Sequence, residues 1–401
     1  ALLFRPAHTG CRRSLQDTRF DFMTQNLYIP ASTGGTLMSN MPLITSIEEL
    51  TAEVITDLLQ AADSLTESQH VTAVEPVSFG DQSGLLSYLY RVGLTYSDGA
   101  QGPATVVVKL PTDDPNQRGI SDALGFYNRE CTYYNVVAPT APFKTATIFG
   151  QAQATDSTDF IIVMEDLGHM ERIDQVVGAT LPESETVLKA LAKLHAVYWG
   201  HQDLENLSST FLPMDNPIYH AALPGIFGAG WASLKVNAPD LLDPEIIEFG
   251  DNYSTHLPQM LASLNTPTTL LHGDYRADNL LLDEEGNLAV IDFQITSMGN
   301  CAFDIAYFLS SSVTSETRAA HADQLLHLYH DTLTAEGVNY SFEDLEAGFR
   351  VALAFCLIYG VASFAGWDSF GERQQELMRS MASRTIYSIL ETNALDSLNA
   401  N

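Results

Sequence analysis

The sequence predicts an α+β protein with two lobes, a strand-rich first lobe and a helical second lobe. Short runs of β-branched and aromatic residues, bounded by turn-forming residues, recur between residues 71 and 167. Most later segments have the apolar periodicity of helices instead. Strands followed by helices, without strict alternation, are typical of α+β architecture. We therefore place the first lobe at residues 41–166 and the second at residues 167–401.

The first 40 residues differ from the rest of the chain. They are rich in arginine, poor in acidic residues and begin with Ala1. Such a composition is found in organellar transit peptides, but several methionines between residues 23 and 41 are possible true starts. We expect residues 1–40 to be a disordered or non-native extension, and we leave them out of the predicted fold.

The predicted first lobe combines one early helix with a set of strands. Ser46 and Glu49 form a capping-box pattern at the start of an amphipathic segment, which predicts a helix from about residue 44 to 60. A second helix is predicted over residues 123–138, where prolines end it. Strands are predicted over residues 71–79, 85–96, 104–110, 145–153 and 159–167.

The predicted second lobe is helical, with one β insertion at residues 280–293. Between residues 200 and 240 the helical character is punctuated by proline and glycine. The longest apolar run, residues 351–367, contains several small residues, and we interpret it as a core helix instead of a membrane span. Helices are predicted over residues 184–200, 240–262, 315–337 and from 342 to the end.

Composition narrows the classes of partner and compartment. Fifty acidic residues against nineteen basic ones give a formal net charge of −31, which repels nucleic acid and anionic membrane surfaces. We therefore predict neither as a partner. The four cysteines lie far apart, without zinc-ligand spacing. This usage favours a reducing cytoplasm. The oligomeric state stays open.

The segment HGDYRADNLLLDEEGNLAVIDFQ, which begins at His272, carries the chemistry. Asp274 and Asn279 lie in a short loop, and Asp292 follows a hairpin whose turn is DEEGN. Because a hairpin brings its two ends together, these three side chains should converge on one pocket. Their oxygen atoms suit a hard cation and a substrate hydroxyl.

Phosphoryl transfer needs the groups that this pattern supplies. Proteins accelerate it mainly by positioning the reactants and by neutralising phosphate charge. Asp292 and Asn279 are candidate Mg²⁺ ligands, and Asp274 is the candidate base for an acceptor hydroxyl. Lys109, within the apolar run VVVKL, is the candidate partner of the ATP phosphates. It needs a carboxylate, for which Glu130 is the first choice, with Glu165 and Glu171 as alternatives.

The ordered set HGD, Asn279, IDFQ and GNCAFDIAYFL resembles the aminoglycoside/choline phosphotransferase group of the protein-kinase-like superfamily. The resemblance covers roughly residues 70–390 and is greatest to the ecdysteroid-kinase-like branch. It implies a two-lobed protein-kinase-like fold, with ATP and Mg²⁺ as cofactors. It also assigns Arg276 a place near the transferred phosphate and Asp304 a role in bracing the catalytic loop.

The resemblance implies further nucleotide contacts in the first lobe. Gly80, Ser83 and Gly84 match the phosphate-covering loop, and the linker from Met164 through Glu165 to Leu167 matches the segment whose backbone pairs with adenine. The glycine pattern GDQSG departs from that of protein kinases, and Gln294 stands where those enzymes have glycine. Both departures favour a small-molecule acceptor over a protein.

The predicted function is therefore ATP-dependent phosphorylation of a hydroxyl group on a small molecule. A sterol-like alcohol, an amino sugar, a macrolide or a choline-like compound could be the acceptor, and GTP could replace ATP. Two alternatives belong to other classes: a nucleotide-binding pseudokinase scaffold and a metal-dependent phosphoesterase. The presence of Lys109, Asp274, Asn279 and Asp292 argues against the first, and the small number of histidines in the motif argues against the second.

Overall fold

A computed structural model describes residues 43–77, 86–97, 99–154 and 157–398, all of which belong to one compact unit. Its helices are α1 Ala52–Ala61, α2 Pro115–Leu124, α3 Phe126–Thr132, α4 Leu181–Tyr198, α5 Asp203–Leu207, α6 Pro217–Asn237, α7 Pro244–Asp251, α8 Tyr253–Ser263, α9 Ala302–Ser311, α10 Ser315–Ala335, α11 Phe342–Ala362 and α12 Glu372–Glu391. Its strands are β1 Val71–Val77, β2 Ser87–Tyr96, β3 Thr105–Pro111, β4 Ile148–Gln153, β5 Phe160–Glu165, β6 Glu171–Arg172, β7 Thr269–Leu271, β8 Leu280–Leu282, β9 Leu288–Val290 and β10 Ser297–Gly299.

The first lobe is built on an antiparallel five-stranded sheet with the order β1-β2-β3-β5-β4. Strand β3 lies at its centre, where Lys109 pairs with Leu89 of β2 and with Ile162 of β5. Val106, Val108 and most of β5 are buried because helix α1 covers one face of the sheet and helix α3 packs on the other, where Tyr127 stacks on Phe160. A lysine at this position is therefore held by the most rigid part of the lobe.

The capping box predicted at Ser46 is wrong. Ser46 makes no side-chain capping bond, and residues 47–49 form a single 3₁₀ turn. Helix α1 begins at Ala52 instead, where the Thr51 hydroxyl accepts a hydrogen bond of 3.2 Å from Val54 N. The carboxylate of Glu49 accepts a bond from Thr45 N at 2.9 Å. Thr51 thus provides an N-cap five residues after the predicted one.

The single helix predicted over residues 123–138 is in fact interrupted. Gly125 has φ of 67°, in the left-handed region that glycine adopts without steric cost, and it separates α2 from α3. A π-helical turn, Tyr133–Val137, then continues α3. The break allows the short helix α3 to pack independently against the sheet, and α3 carries Glu130.

The second lobe is mainly helical, as predicted, but it contains two small sheets. Strands β6, β8 and β9 form one, and β7 pairs with β10 to form the other. Within the stretch punctuated by proline and glycine, α6 is a helix of 21 residues with Pro224 inside it. Gly230 allows α6 to approach α11 closely, because a Cβ there would collide with the Val361 carbonyl. Glycine here marks close helix packing and not a turn.

Helix α11 forms much of the core of the second lobe. Together with the turn that follows it, Phe342–Ser369 is the only described segment long and apolar enough to cross a membrane. However, 61% of its most apolar window is buried against the rest of the protein. Such burial is typical of the core helix of a globular protein, in agreement with the interpretation of residues 351–367.

Candidate active site

The catalytic loop is held by a buried carboxylate. It begins directly after β7, where Asp304 at the start of α9 accepts hydrogen bonds from His272 N at 2.7 Å and Gly273 N at 3.0 Å. Gly273 has φ of 86°, and a Cβ at this position would collide with the carbonyl oxygen of Ile295. The loop therefore requires glycine, and its backbone presents Asp274 in one orientation.

Two histidines support this arrangement from within the protein. His272 accepts a bond from Asp274 N through Nδ1 at 3.1 Å, and its Nε2 lies 3.2 Å from the Ile291 carbonyl. Burial lowers the pKa of His272, so the ring is neutral at pH 7. His195 is fully buried and contacts Asp304 through Nε2 at 3.2 Å. Among the hydrogen bonds of the described residues, neither ring contacts the carboxylate of Asp274, so both histidines pack against the loop and brace it.

The carboxylate of Asp274 is oriented by three side chains. Asn279 donates through Nδ2 to Oδ2 of Asp274 at 2.9 Å, and Arg276 Nε lies 3.3 Å from the same carboxylate. Tyr307 donates its hydroxyl to Oδ1 at 2.9 Å. A salt bridge of 2.8 Å to Asp278 holds Arg276 in turn. The predicted loop residues are thus brought together.

Tyr307 is a site residue that the sequence analysis missed. It lies on α9 one helical turn after Asp304, so that both side chains face the catalytic loop. Tyr307 is only 2% exposed. The available signal was the segment DIAYFL, in which the spacing between Asp304 and Tyr307 predicts a shared helical face.

A second cluster joins the two lobes. Lys109 Nζ lies 2.8 Å from Oε1 and 2.7 Å from Oε2 of Glu130, and 3.2 Å from Oδ1 of Asp292. Lys109 and Glu130 are 3% and 1% exposed. The predicted alternatives lie elsewhere: Glu165 accepts bonds from Lys144, and Glu171 is exposed. The ammonium of Lys109 is therefore shared between Glu130 and Asp292.

The charges in this cluster set its protonation. Burial raises the pKa of Glu130 to about 7, although the Lys109 ammonium opposes the shift. Burial alone would lower the pKa of Lys109, but Asp292 and Glu130 raise it above its ordinary value. Burial alone would raise the pKa of Asp292, and Lys109 holds it below its usual range. Lys109 is thus charged and Asp292 ionised at pH 7.

The donor atoms near Asp292 fit a magnesium ion. The side chain of Asp292 is 35% exposed, so its carboxylate faces the cleft as well as Lys109. Asn279 uses its amide nitrogen to contact Asp274, which leaves its amide oxygen as the potential ligand. Carboxylate and amide oxygens are hard donors of the kind that Mg²⁺ prefers, often with phosphate oxygens completing the set. Among residues the structure describes, no three or more His, Cys, Asp or Glu side chains form a metal centre.

The other residues predicted to contact the nucleotide have different outcomes. Gly80, Ser83 and Gly84 lie outside the described residues. Glu165 ends β5, and its carboxylate is held by Lys144 at 2.8 Å and by the Thr147 hydroxyl at 2.9 Å. Leu167 is buried, and its carbonyl accepts a bond from Met170 N at 2.9 Å. Adenine pairing at this linker stays a prediction.

A five-stranded antiparallel sheet beside a helical lobe, with the Asp274 and Asp292 loops at their junction, defines a kinase-like fold. Solved structures of that type match it. An ethanolamine kinase from Plasmodium vivax has a TM-score of 0.53 at 14% identity, covering 80% of this chain and 84% of that chain. A choline kinase from Cryptosporidium parvum has a TM-score of 0.52 at 14% identity, covering 84% of this chain and 94% of that chain.

The sequence comparison defines the family. The profile of the ecdysteroid kinase-like family matches residues 82–339, which is more than half of the chain. The chain belongs to the ecdysteroid kinase-like family. A search of curated protein sequences gave no significant match. The resemblance stated from the motifs is therefore confirmed, together with the two-lobed fold.

Proposed function

We propose that the protein is an ATP-dependent phosphotransferase that transfers the γ-phosphoryl group to a hydroxyl of a small molecule. The observation that carries the proposal is the convergence of two clusters at the lobe junction. One cluster holds Asp274, Asn279 and Tyr307. The other holds Lys109 and Asp292. Phosphoryl transfer depends on positioning and charge neutralisation, which these groups supply.

Each residue has a role in the proposed reaction. Lys109, held by Glu130, contacts the α and β phosphates. Asp292 and Asn279 would hold a magnesium ion, which supplies positive charge to the phosphates when it is bound. Asp274 accepts a hydrogen bond from the acceptor hydroxyl and takes its proton as the oxygen–phosphorus bond forms. The bond between the γ-phosphorus and the bridging oxygen breaks, and ADP leaves.

The orientation of Asp274 supports its role as the base. Tyr307 and Asn279 each donate to one of its oxygens at 2.9 Å. These bonds fix the plane of the carboxylate, as a general base that is positioned for an acceptor hydroxyl requires. Arg276, 3.3 Å from the same carboxylate, can stabilise negative charge on the transferred group. A pseudokinase would not need this set of oriented groups.

A coupled ADP-release assay tests the proposal over a panel of hydroxylated compounds: a steroid alcohol, choline, ethanolamine, an aminoglycoside and a macrolide. We expect one class to release ADP and to gain the mass of one phosphoryl group. Asp274→Asn is the control and should abolish this product. The proposal would be contradicted if wild type released ADP without forming any phosphorylated product and Asp274→Asn released ADP at the same rate.

A further inference from the structure

A second buried cation lies beside the Lys109 cluster. Arg129 is 1% exposed and donates through Nη1 to the Tyr219 hydroxyl at 2.8 Å and to the Thr296 carbonyl at 3.2 Å. Its Nε and Nη2 are buried and have no hydrogen-bond partner. It forms no ion pair with any residue in the described part of the chain. The rings of Phe126 and Tyr219 lie 5.5 and 5.7 Å from the guanidinium carbon.

Such a residue is not explained by its contribution to stability. A buried guanidinium loses its hydration, and without a carboxylate partner little of that cost is recovered. The two aromatic rings compensate only in part. A methionine of similar length would fill the same space without unpaired donors. The role of Arg129 must therefore be sought in the groups that its contacts position.

Those contacts hold the segment that follows Asp292. Arg129 donates to the carbonyl of Thr296, and the neighbouring Glu130 is joined through the Lys109 ammonium to Asp292. Two consecutive residues of α3 thus hold the segment 292–296 at its two ends, Glu130 through Lys109 at Asp292 and Arg129 directly at Thr296. Asp292 itself has φ of 64°, in the left-handed region. A residue other than glycine keeps this conformation only where its surroundings enforce it.

We propose that Arg129 is a positioning residue for the metal-binding segment, retained at a cost to stability. It fixes residues 293–296 so that Asp292 keeps the backbone conformation in which its carboxylate faces the cleft. The Tyr219 hydroxyl, on α6 of the second lobe, holds the guanidinium in place. The use of this positioning, to bind magnesium with a nucleotide, rests on the proposed function.

The test is Arg129→Met, with Arg318→Met as the matched control. Arg318 is also buried, at 3% exposure, but it pairs with Glu391 at 3.1 Å in the second lobe. We expect Arg129→Met to keep or raise the melting temperature. Magnesium should strengthen ATP binding to Arg129→Met less than it does for wild type, by a factor of about ten or more. Loss of a residue that orients a metal ligand has an effect of this size. Arg318→Met should show the reverse: a lower melting temperature and an unchanged magnesium effect.

Hydrogen exchange in the absence of nucleotide and metal provides a second readout. We expect amides of residues 291–299 to exchange faster in Arg129→Met than in wild type or Arg318→Met. If wild type shows no magnesium-dependent ATP binding, the proposed function fails, but this exchange measurement still tests Arg129. The inference is wrong if exchange is unchanged, or if Arg129→Met fails to fold or melts below Arg318→Met.

Discussion

The pairing of Lys109 with Glu130 predicts strong coupling between their substitutions. Lys109→Met leaves the buried Glu130 carboxylate near the partly exposed Asp292 without a cation, which we expect to cost about 3–5 kcal/mol of unfolding free energy. Glu130→Gln is milder, because Lys109 still has Asp292 at 3.2 Å, and we expect it to cost about 1–3 kcal/mol. The double variant should lose no more than Lys109→Met alone. The coupling energy is then about 2 kcal/mol.

Urea unfolding of the four proteins measures this coupling, and ATP titration should show the same pattern in affinity. The pair Lys144–Glu165 provides the matched control. Its atoms are 2.8 Å apart, but its side chains are 42% and 22% exposed, so its coupling energy should not exceed about 1 kcal/mol. If the losses of unfolding free energy in the two single variants sum to the loss in the double variant within about 0.5 kcal/mol, Lys109 and Glu130 do not act as a unit. Glu130 then has no place in the site.

Three further predictions concern single residues. Asp274→Asn should lower turnover by about 100- to 10,000-fold, as loss of a general base does. The affinity for Mg-ATP, measured by titration, should change only slightly. Near-normal turnover would refute the role of Asp274 as the base. Tyr307→Phe should lower turnover about 10- to 100-fold, the equivalent of one hydrogen bond to a charged group. The control is Tyr253→Phe, which removes a hydroxyl that bonds the Phe355 carbonyl at 2.9 Å and should leave turnover unchanged. Equal effects of the two substitutions on turnover would exclude an orienting role for Tyr307. Burial raises the pKa of Glu130 from 4.5 to about 7, so the folded protein favours the neutral carboxyl. This contribution to the free energy of unfolding is fully present below about pH 4.5 and is lost as the pH rises through about 7, a decline of about 3 kcal/mol. Glu130→Gln should remove this decline in magnesium-free urea unfolding between about pH 5 and about pH 8, and parallel curves for both proteins would contradict it.

The sequence predicted the parts of the fold that local patterns determine. The hairpin between Asn279 and Asp292 could be predicted because its turn residues lie between two apolar runs. The sheet and the apolar helix α11 follow from periodicity in the same way. The start of α1 was misplaced because Ser46 and Glu49 match the capping-box pattern, whereas the hydroxyl that caps the helix belongs to Thr51, five residues later.

Contacts between distant segments could not be predicted in this way. The spacing of Asp304 and Tyr307 predicts a shared helical face, but no local pattern shows the partner of Tyr307 or that of Arg129. Asp274 and Thr296 lie 33 and 167 positions away from these two residues. Lys109 stood out because a charge within an apolar strand needs a partner. Arg129 did not stand out, since it lies among the polar residues of a short helix whose buried face was not evident.

The most direct test of the central claim is titration of ATP into wild type and Asp292→Ala, each with and without magnesium. Binding requires no acceptor, so the result is independent of which compound is phosphorylated. We predict that magnesium strengthens ATP binding to wild type and has no such effect on Asp292→Ala, because Asn279 alone cannot hold the cation against the phosphates. An equal magnesium effect in both proteins would contradict the assignment of this cluster as a magnesium-nucleotide site.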